Sequence, residues 1–80
     1  MATKINIKGG KMDVRDIENR FTYHTPKEGQ LEKYQNIRCS ARLFAELINE
    51  ECPDSREKSL AITKLEEVAF WANASIARNE

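Results

Sequence analysis

The corner Cys52-Pro53-Asp54-Ser55-Arg56-Glu57 constrains the fold of this chain more than any other stretch. Proline has no backbone N–H and disfavours helix in the residue before it, so one helix has to end near Cys52. Asp54 then has the side chain to cap a new helix, and Glu57 three positions on would complete a capping box. On either side runs a stretch of about two dozen residues with helical periodicity and no interior Pro or Gly. The chain reads as all-α, an antiparallel two-helix hairpin with arms of nearly equal length.

Eighty residues make one domain, and a hairpin of that size buries too little surface to be comfortably stable alone. The cysteines do not supply the difference. Cys39 and Cys52 both fall in the first arm, separated by roughly 20 Å of helix. A disulfide needs Cα atoms about 4.4–6.8 Å apart, so the two cannot pair within one chain. With no secretory segment behind Met1, the expectation is a reduced, cytoplasmic protein. No apolar run approaches a membrane span, so no membrane partner is expected. His24 is the sole histidine and no cysteine pair has ligand spacing, so neither a metal nor any other cofactor is expected. The missing stability is expected from other copies of the chain.

The 13 basic and 13 acidic residues cancel, yet their placement is uneven. Lys4, Lys8, Lys11, Arg15, Arg20 and Lys27 face only Asp13, Asp16 and Glu18 in residues 1–27. A neutral total argues against a general DNA binder, which carries a strongly basic field. A locally basic N-terminal third still suits a compact anion.

Taken in order, Thr3 to Lys8 alternates around Ile5 and Ile7, a strand signal that Gly9-Gly10 ends and that a docked tail also fits. Lys11 to Arg20 fits a short helix with Val14, Ile17 and Phe21 on one face and Asp13 as cap. A connecting loop follows, broken by Pro26 and Gly29. Phe21, Tyr23 and His24 there are planar stacking surfaces, and Arg20 and Lys27 are cations long enough to reach phosphate. Aromatics interleaved with basic residues are what base stacking plus phosphate pairing requires. The same composition also fits a loop stapled to the hairpin by Phe21 and Tyr23, its charges merely solvated.

The first arm, about Gln30 to Glu51, carries a stripe of Leu31, Tyr34, Ile37, Ala41, Phe44, Ala45 and Ile48, broadened by Leu43 and Leu47. Arg38 and Arg42 share a face that begins with Tyr34, either covering apolar surface with their stems or forming an anion clamp toward the loop. The second arm, about Ser55 to Arg78, has an inner stripe of Ala61, Ile62, Leu65, Val68, Ala69, Ala72 and Ile76. Leu60, Phe70, Trp71, Ala74 and Ala77 lie outside it, more apolar surface than one partner helix can cover. A multi-chain helical core is therefore expected. Arg56 and Lys58 stand in the first turn of this arm, where the helix dipole favours an anion. Asp54 and Glu57 occupy the same turn and oppose that.

No hydrolase constellation accompanies these elements. Cys39 and His24 lack a glycine-rich elbow, and the carboxylates are scattered like surface helix residues. The residues describe a binder, and no enzymatic activity is expected.

Four blocks then resemble a known family. They are Arg20-Phe21-Thr22-Tyr23-His24-Thr25-Pro26, Tyr34-Gln35-Asn36-Ile37-Arg38, Pro53 through Ala61, and Trp71 through Glu80. They are similar to the helical-hairpin domain shared by phage anti-CBASS and anti-Thoeris signal sponges. The resemblance covers residues 19–80 as the sponge domain and leaves residues 1–18 as a tail and short helix. The short region before the hairpin is more similar to the compact anti-CBASS type. The resemblance implies homohexamers that sequester cyclic oligonucleotides in the cytoplasm of an infected bacterial cell without cleaving them. Cyclic dinucleotides such as cyclic GMP–AMP would sit between protomers and cyclic trinucleotides at separate sites near three-fold axes. It further implies a tyrosine before the first long helix that stacks on bases, here Tyr23. A basic residue fifteen positions later that pairs with phosphate is here Arg38, and a hydroxyl residue of the trinucleotide site is here Ser40. For the arginine of that second site, Arg56 and Arg78 are both candidates. Two alternatives stand beside this reading: a sponge for cyclic ADP-ribose-type signals, and a helical oligomeric interaction module without a nucleotide ligand.

Overall fold

The computed structural model describes residues 11–80 and consists there of three helices and no strand: α1 Val14–Phe21, α2 Gln30–Glu51 and α3 Arg56–Asn79. The strand expected at residues 3–8 lies outside the described residues. Asp13 caps α1 as its sequence position implied, its Oδ1 accepting from the Arg15 N–H at 2.8 Å. The helix closes where the Thr22 hydroxyl donates to the Glu18 carbonyl oxygen at 2.5 Å. Lys27-Glu28-Gly29-Gln30 then forms a tight turn, with the Gln30 N–H donating to the Lys27 carbonyl oxygen at 3.0 Å. Gly29 occupies its third position at φ 85°, the left-handed region that a turn of this kind reserves for glycine.

At the corner, Asp54 is not the cap. Ser55 is, its Oγ accepting from the Lys58 N–H at 3.1 Å. The same hydroxyl donates to the Pro53 carbonyl oxygen at 3.1 Å. A hydroxyl can donate and accept at once, whereas an ionised Asp54 can only accept. With the cap moved one residue on, Lys58 and not Glu57 stands at the third helical position, and the expected capping box does not form. Asp54 instead pairs with the Lys58 ammonium at 2.8 Å, which also donates to the Asn49 carbonyl oxygen at 2.9 Å. The Lys58 hydrogen bond, followed by its charge, holds the Asp54 carboxyl below the usual aspartate range. Lys58 thus buttons α3 onto the end of α2.

The two long helices pack antiparallel along a narrow seam. Tyr34, Ile37, Ala41, Ala45 and Ile48 of α2 are half-buried against Ile62, Leu65, Ala69, Ala72 and Ile76 of α3. Parts of the expected stripes stay outside it, with Leu31, Phe44, Ala61 and Val68 exposed. Two cylinders touch along one line, so residues at the margins of a wide stripe gain no cover from a single partner. No apolar residue among the described residues is buried. Both cysteines are free and exposed. No helix described is long and apolar enough to cross a membrane.

Candidate functional site

At the open end of the hairpin, opposite the corner, the loop after α1 folds back over the start of α2 and the end of α3. Polar contacts hold it there. The Asn19 side-chain amide donates to the Arg78 carbonyl oxygen at 3.3 Å, and the Arg78 guanidinium donates to the Arg20 carbonyl oxygen at 3.5 Å. His24 Nε2 lies 2.8 Å from the Asn19 carbonyl oxygen. A carbonyl can only accept, so this contact assigns the proton to Nε2.

Further along, the Gln30 amide takes the Lys27 N–H on Oε1 at 2.8 Å. Its Nε2 donates to the Glu80 carboxylate at 3.2 Å and lies 3.5 Å from the Ile76 carbonyl oxygen. Glu80 is additionally paired with Lys33 at 2.5 Å, and Lys27 Nζ donates to the Glu80 backbone carbonyl. The hydrogen bond from Lys33, then that from Gln30, holds the Glu80 carboxyl below the usual glutamate range.

These ties enclose an open groove of about 660 Å³ between loop, α2 and α3. Arg20 lines it from the last turn of α1, Tyr23 and His24 from the loop, Tyr34, Gln35 and Arg38 from α2, and Asn73, Ala74, Ala77 and Arg78 from α3. Its size falls within the range of small-molecule sites. Tyr23 is 81% exposed and Phe21 84% exposed, so neither ring staples the loop to the hairpin of its own chain. Arg20 is loosely held, 3.5 Å from Asp16 with its side chain 43% exposed. Small alanines on α3 leave the floor open, which is why a groove exists between helices that otherwise touch.

Of the candidates read from sequence, the structure brings Arg20, Tyr23, His24, Arg38 and Arg78 to this one groove. It does not bring the others. Ser40 lies in a separate, mostly apolar groove of about 380 Å³ with Ile37, Phe44, Leu65 and Val68. Phe21 and Lys27 are not among the residues lining the arginine groove. Arg56 and Lys58 sit at the corner, about 30 Å along α3 from Arg78 at 1.5 Å per residue, and Lys58 is already paired. Tyr34, a member of the α2 apolar stripe, also stands in the groove wall. Gln35 and Asn73 also line the groove, though beyond their place in the resembling blocks the sequence marks neither for a role, except that Asn73 interrupts the α3 alanines. Asn73 Oδ1 is buried without a hydrogen-bond partner.

Comparison with known proteins gives the class. A model of the Acb2/Tad1 hairpin domain matches residues 12–77, taking in α1, the loop and nearly all of both long helices. The chain belongs to that family, the helical-hairpin signal sponges of the anti-CBASS and anti-Thoeris kind. No curated protein and no solved structure gave a significant match.

Proposed function

We propose that this chain is a phage immune-evasion sponge that binds cyclic oligonucleotide second messengers and holds them intact. The observation that carries the reading is the meeting of three arginines, Arg20, Arg38 and Arg78, with Tyr23, His24 and Tyr34 in one groove of a family member. Guanidinium groups suit phosphate oxygens, and exposed aromatic rings suit base faces. Cyclic dinucleotides such as cyclic GMP–AMP present both at once. In this reading Tyr23 stacks on a base and Arg38 pairs with phosphate, with Arg20 and Arg78 completing the charge. The site works without cofactor or metal, in the cytoplasm of the infected cell.

Self-assembly belongs to the same proposal. Leu43, Phe44, Leu47, Val68, Phe70 and Trp71 are each more than half exposed, while the single chain buries no apolar residue among those described. Apolar surface of that extent is covered in a stable protein, and further copies of the chain, six in all, are the proposed cover. A cyclic trinucleotide would take a second site around Ser40. Neither Arg56 nor Arg78 lines the Ser40 groove of its own chain, so such a site draws its arginine from another copy.

The test is a release experiment. The protein is incubated with a mixture of cyclic nucleotides and cyclic ADP-ribose derivatives, desalted and heat-denatured, and the released compounds are identified. Intact cyclic dinucleotide or trinucleotide is expected. Linear product would make the protein an enzyme, a cyclic ADP-ribose derivative would move the ligand to the Thoeris type, and no release would leave an interaction module.

A further inference from the structure

We infer that Gln30 is a positioning residue for the groove, fixing the loop over α2 so that Tyr23 and Arg38 meet one cyclic dinucleotide; this rests on the sponge reading above. Gln30 is the only buried residue among those described, 4% exposed, and it is polar. A polar side chain in that position is retained where its bonds do something apolar packing cannot. Its acceptor holds the Lys27 N–H in the loop, and its donor reaches the Glu80 carboxylate and the Ile76 carbonyl oxygen at the end of α3. One amide thus joins three segments. Neither a carboxylate nor an aliphatic chain can make both kinds of bond.

The consequence for ligand geometry follows from rigidity. Gln30 and Arg38 lie on the same helix, about 12 Å apart along its axis. The loop that carries Tyr23 is fastened at its start by His24 on Asn19 and at its end by Lys27 on Gln30. Releasing the second fastening lets the loop swing about the first, and the separation of Tyr23 from Arg38 is no longer set. A ligand that must be stacked and phosphate-paired at once is sensitive to that separation, because ordering the loop is then charged to binding.

The test uses the full-length chain, with Gln30→Glu, the double variant Gln30→Glu/Glu80→Gln, and Glu80→Ala. Affinity for cyclic GMP–AMP is measured by calorimetry, assembly by light scattering, and the loop by hydrogen exchange at the Lys27 amide. Gln30→Glu keeps an acceptor but loses the donor and sets its carboxylate against that of Glu80, so repulsion drives the side chain from its seat and away from the Lys27 N–H. It is expected to weaken binding about tenfold, the worth of one such hydrogen bond, with oligomer mass unchanged and faster Lys27 exchange. The double variant restores a donor facing an acceptor across the same gap, and should return affinity to within about threefold of wild type. Glu80→Ala, at the exposed end of α3, leaves the hairpin seam intact and should weaken binding about threefold. Wild-type affinity in Gln30→Glu and Glu80→Ala, or no recovery in the double variant, would overturn the inference while leaving the sponge reading standing. Failure of the wild-type chain to bind any cyclic nucleotide would overturn both.

Discussion

Asn19 and Arg78 hold each other across 59 positions of sequence: the Asn19 amide donates to the Arg78 carbonyl oxygen, and the Arg78 guanidinium returns to the Arg20 carbonyl beside it. This exchange fixes the end of α1 against the last turn of α3 and brings Arg20 and Arg78 to one groove. Asn19→Ala removes one hydrogen bond and is expected to cost about 0.5–1.5 kcal/mol. Hydrogen exchange should quicken at α1 amides while the seam between α2 and α3 keeps its protection. Unchanged exchange in α1 would mean that other contacts hold it.

The corner offers a comparison of neighbours. Ser55→Ala removes the N-cap of α3 and should cost about 0.5–2 kcal/mol. Asp54→Ala removes a fully exposed carboxylate from Lys58, whose ammonium keeps its bond to the Asn49 carbonyl oxygen, and a partner so screened by water contributes little. Thermal melting of the two variants should place Ser55→Ala well below Asp54→Ala. The reverse order would return the cap to Asp54.

That corner also shows what the sequence makes legible. Pro53 announces the break, and the limits of α2 and α3 fall within a residue or so of where periodicity puts them. The choice of cap between adjacent Asp54 and Ser55 is not legible, because it depends on whether a side chain can also satisfy the Pro53 carbonyl oxygen. The groove divides in the same way. Tyr23, His24 and Arg20 stand together in sequence and can be read as a group. Arg38 and Arg78 join them through the antiparallel pairing of the arms, forty positions apart. Asn73 and Gln30 look like ordinary polar helix residues, and only tertiary packing shows one as groove wall and the other as a buried fastening.

Acid should loosen the open end of the hairpin. The Glu80 carboxyl is held below its ordinary value, first by Lys33 and then by Gln30. A carboxyl whose folded value is depressed contributes stability present above the unfolded value, about 4.3 for glutamate. That contribution is lost as pH falls through the lower folded value. The difference in melting temperature between wild type and Glu80→Gln is therefore expected to be largest at neutral pH and to shrink progressively below about pH 4.3. A difference that stays constant down to pH 2 would show that the Glu80 charge contributes nothing.

Assembly is tested at Trp71, which is 65% exposed on α3. Trp71→Asp leaves the hairpin seam untouched and places a charge on the surface proposed to be covered by another copy. Light scattering should give a hexameric mass for wild type and a smaller species for the variant, with helical content retained. A monomeric wild type with full helical content would contradict the proposed assembly.

The most direct measurement titrates a cyclic dinucleotide into wild type, Tyr23→Ala, Tyr23→Phe and Arg38→Ala by calorimetry. Stacking contributes about 1–3 kcal/mol per base and a charge-assisted phosphate contact about 1.5–3 kcal/mol. Each alanine variant should therefore lose roughly ten- to a hundredfold in affinity or more, since a ligand bridging two copies loses two contacts at once. Tyr23→Phe keeps the ring face and should keep most of the affinity. Strong wild-type binding that both alanine variants abolish, with the oligomer intact, is the expected result. Alanine variants that bind as wild type does would place the ligand elsewhere and make the arginine groove a structural feature of the hairpin.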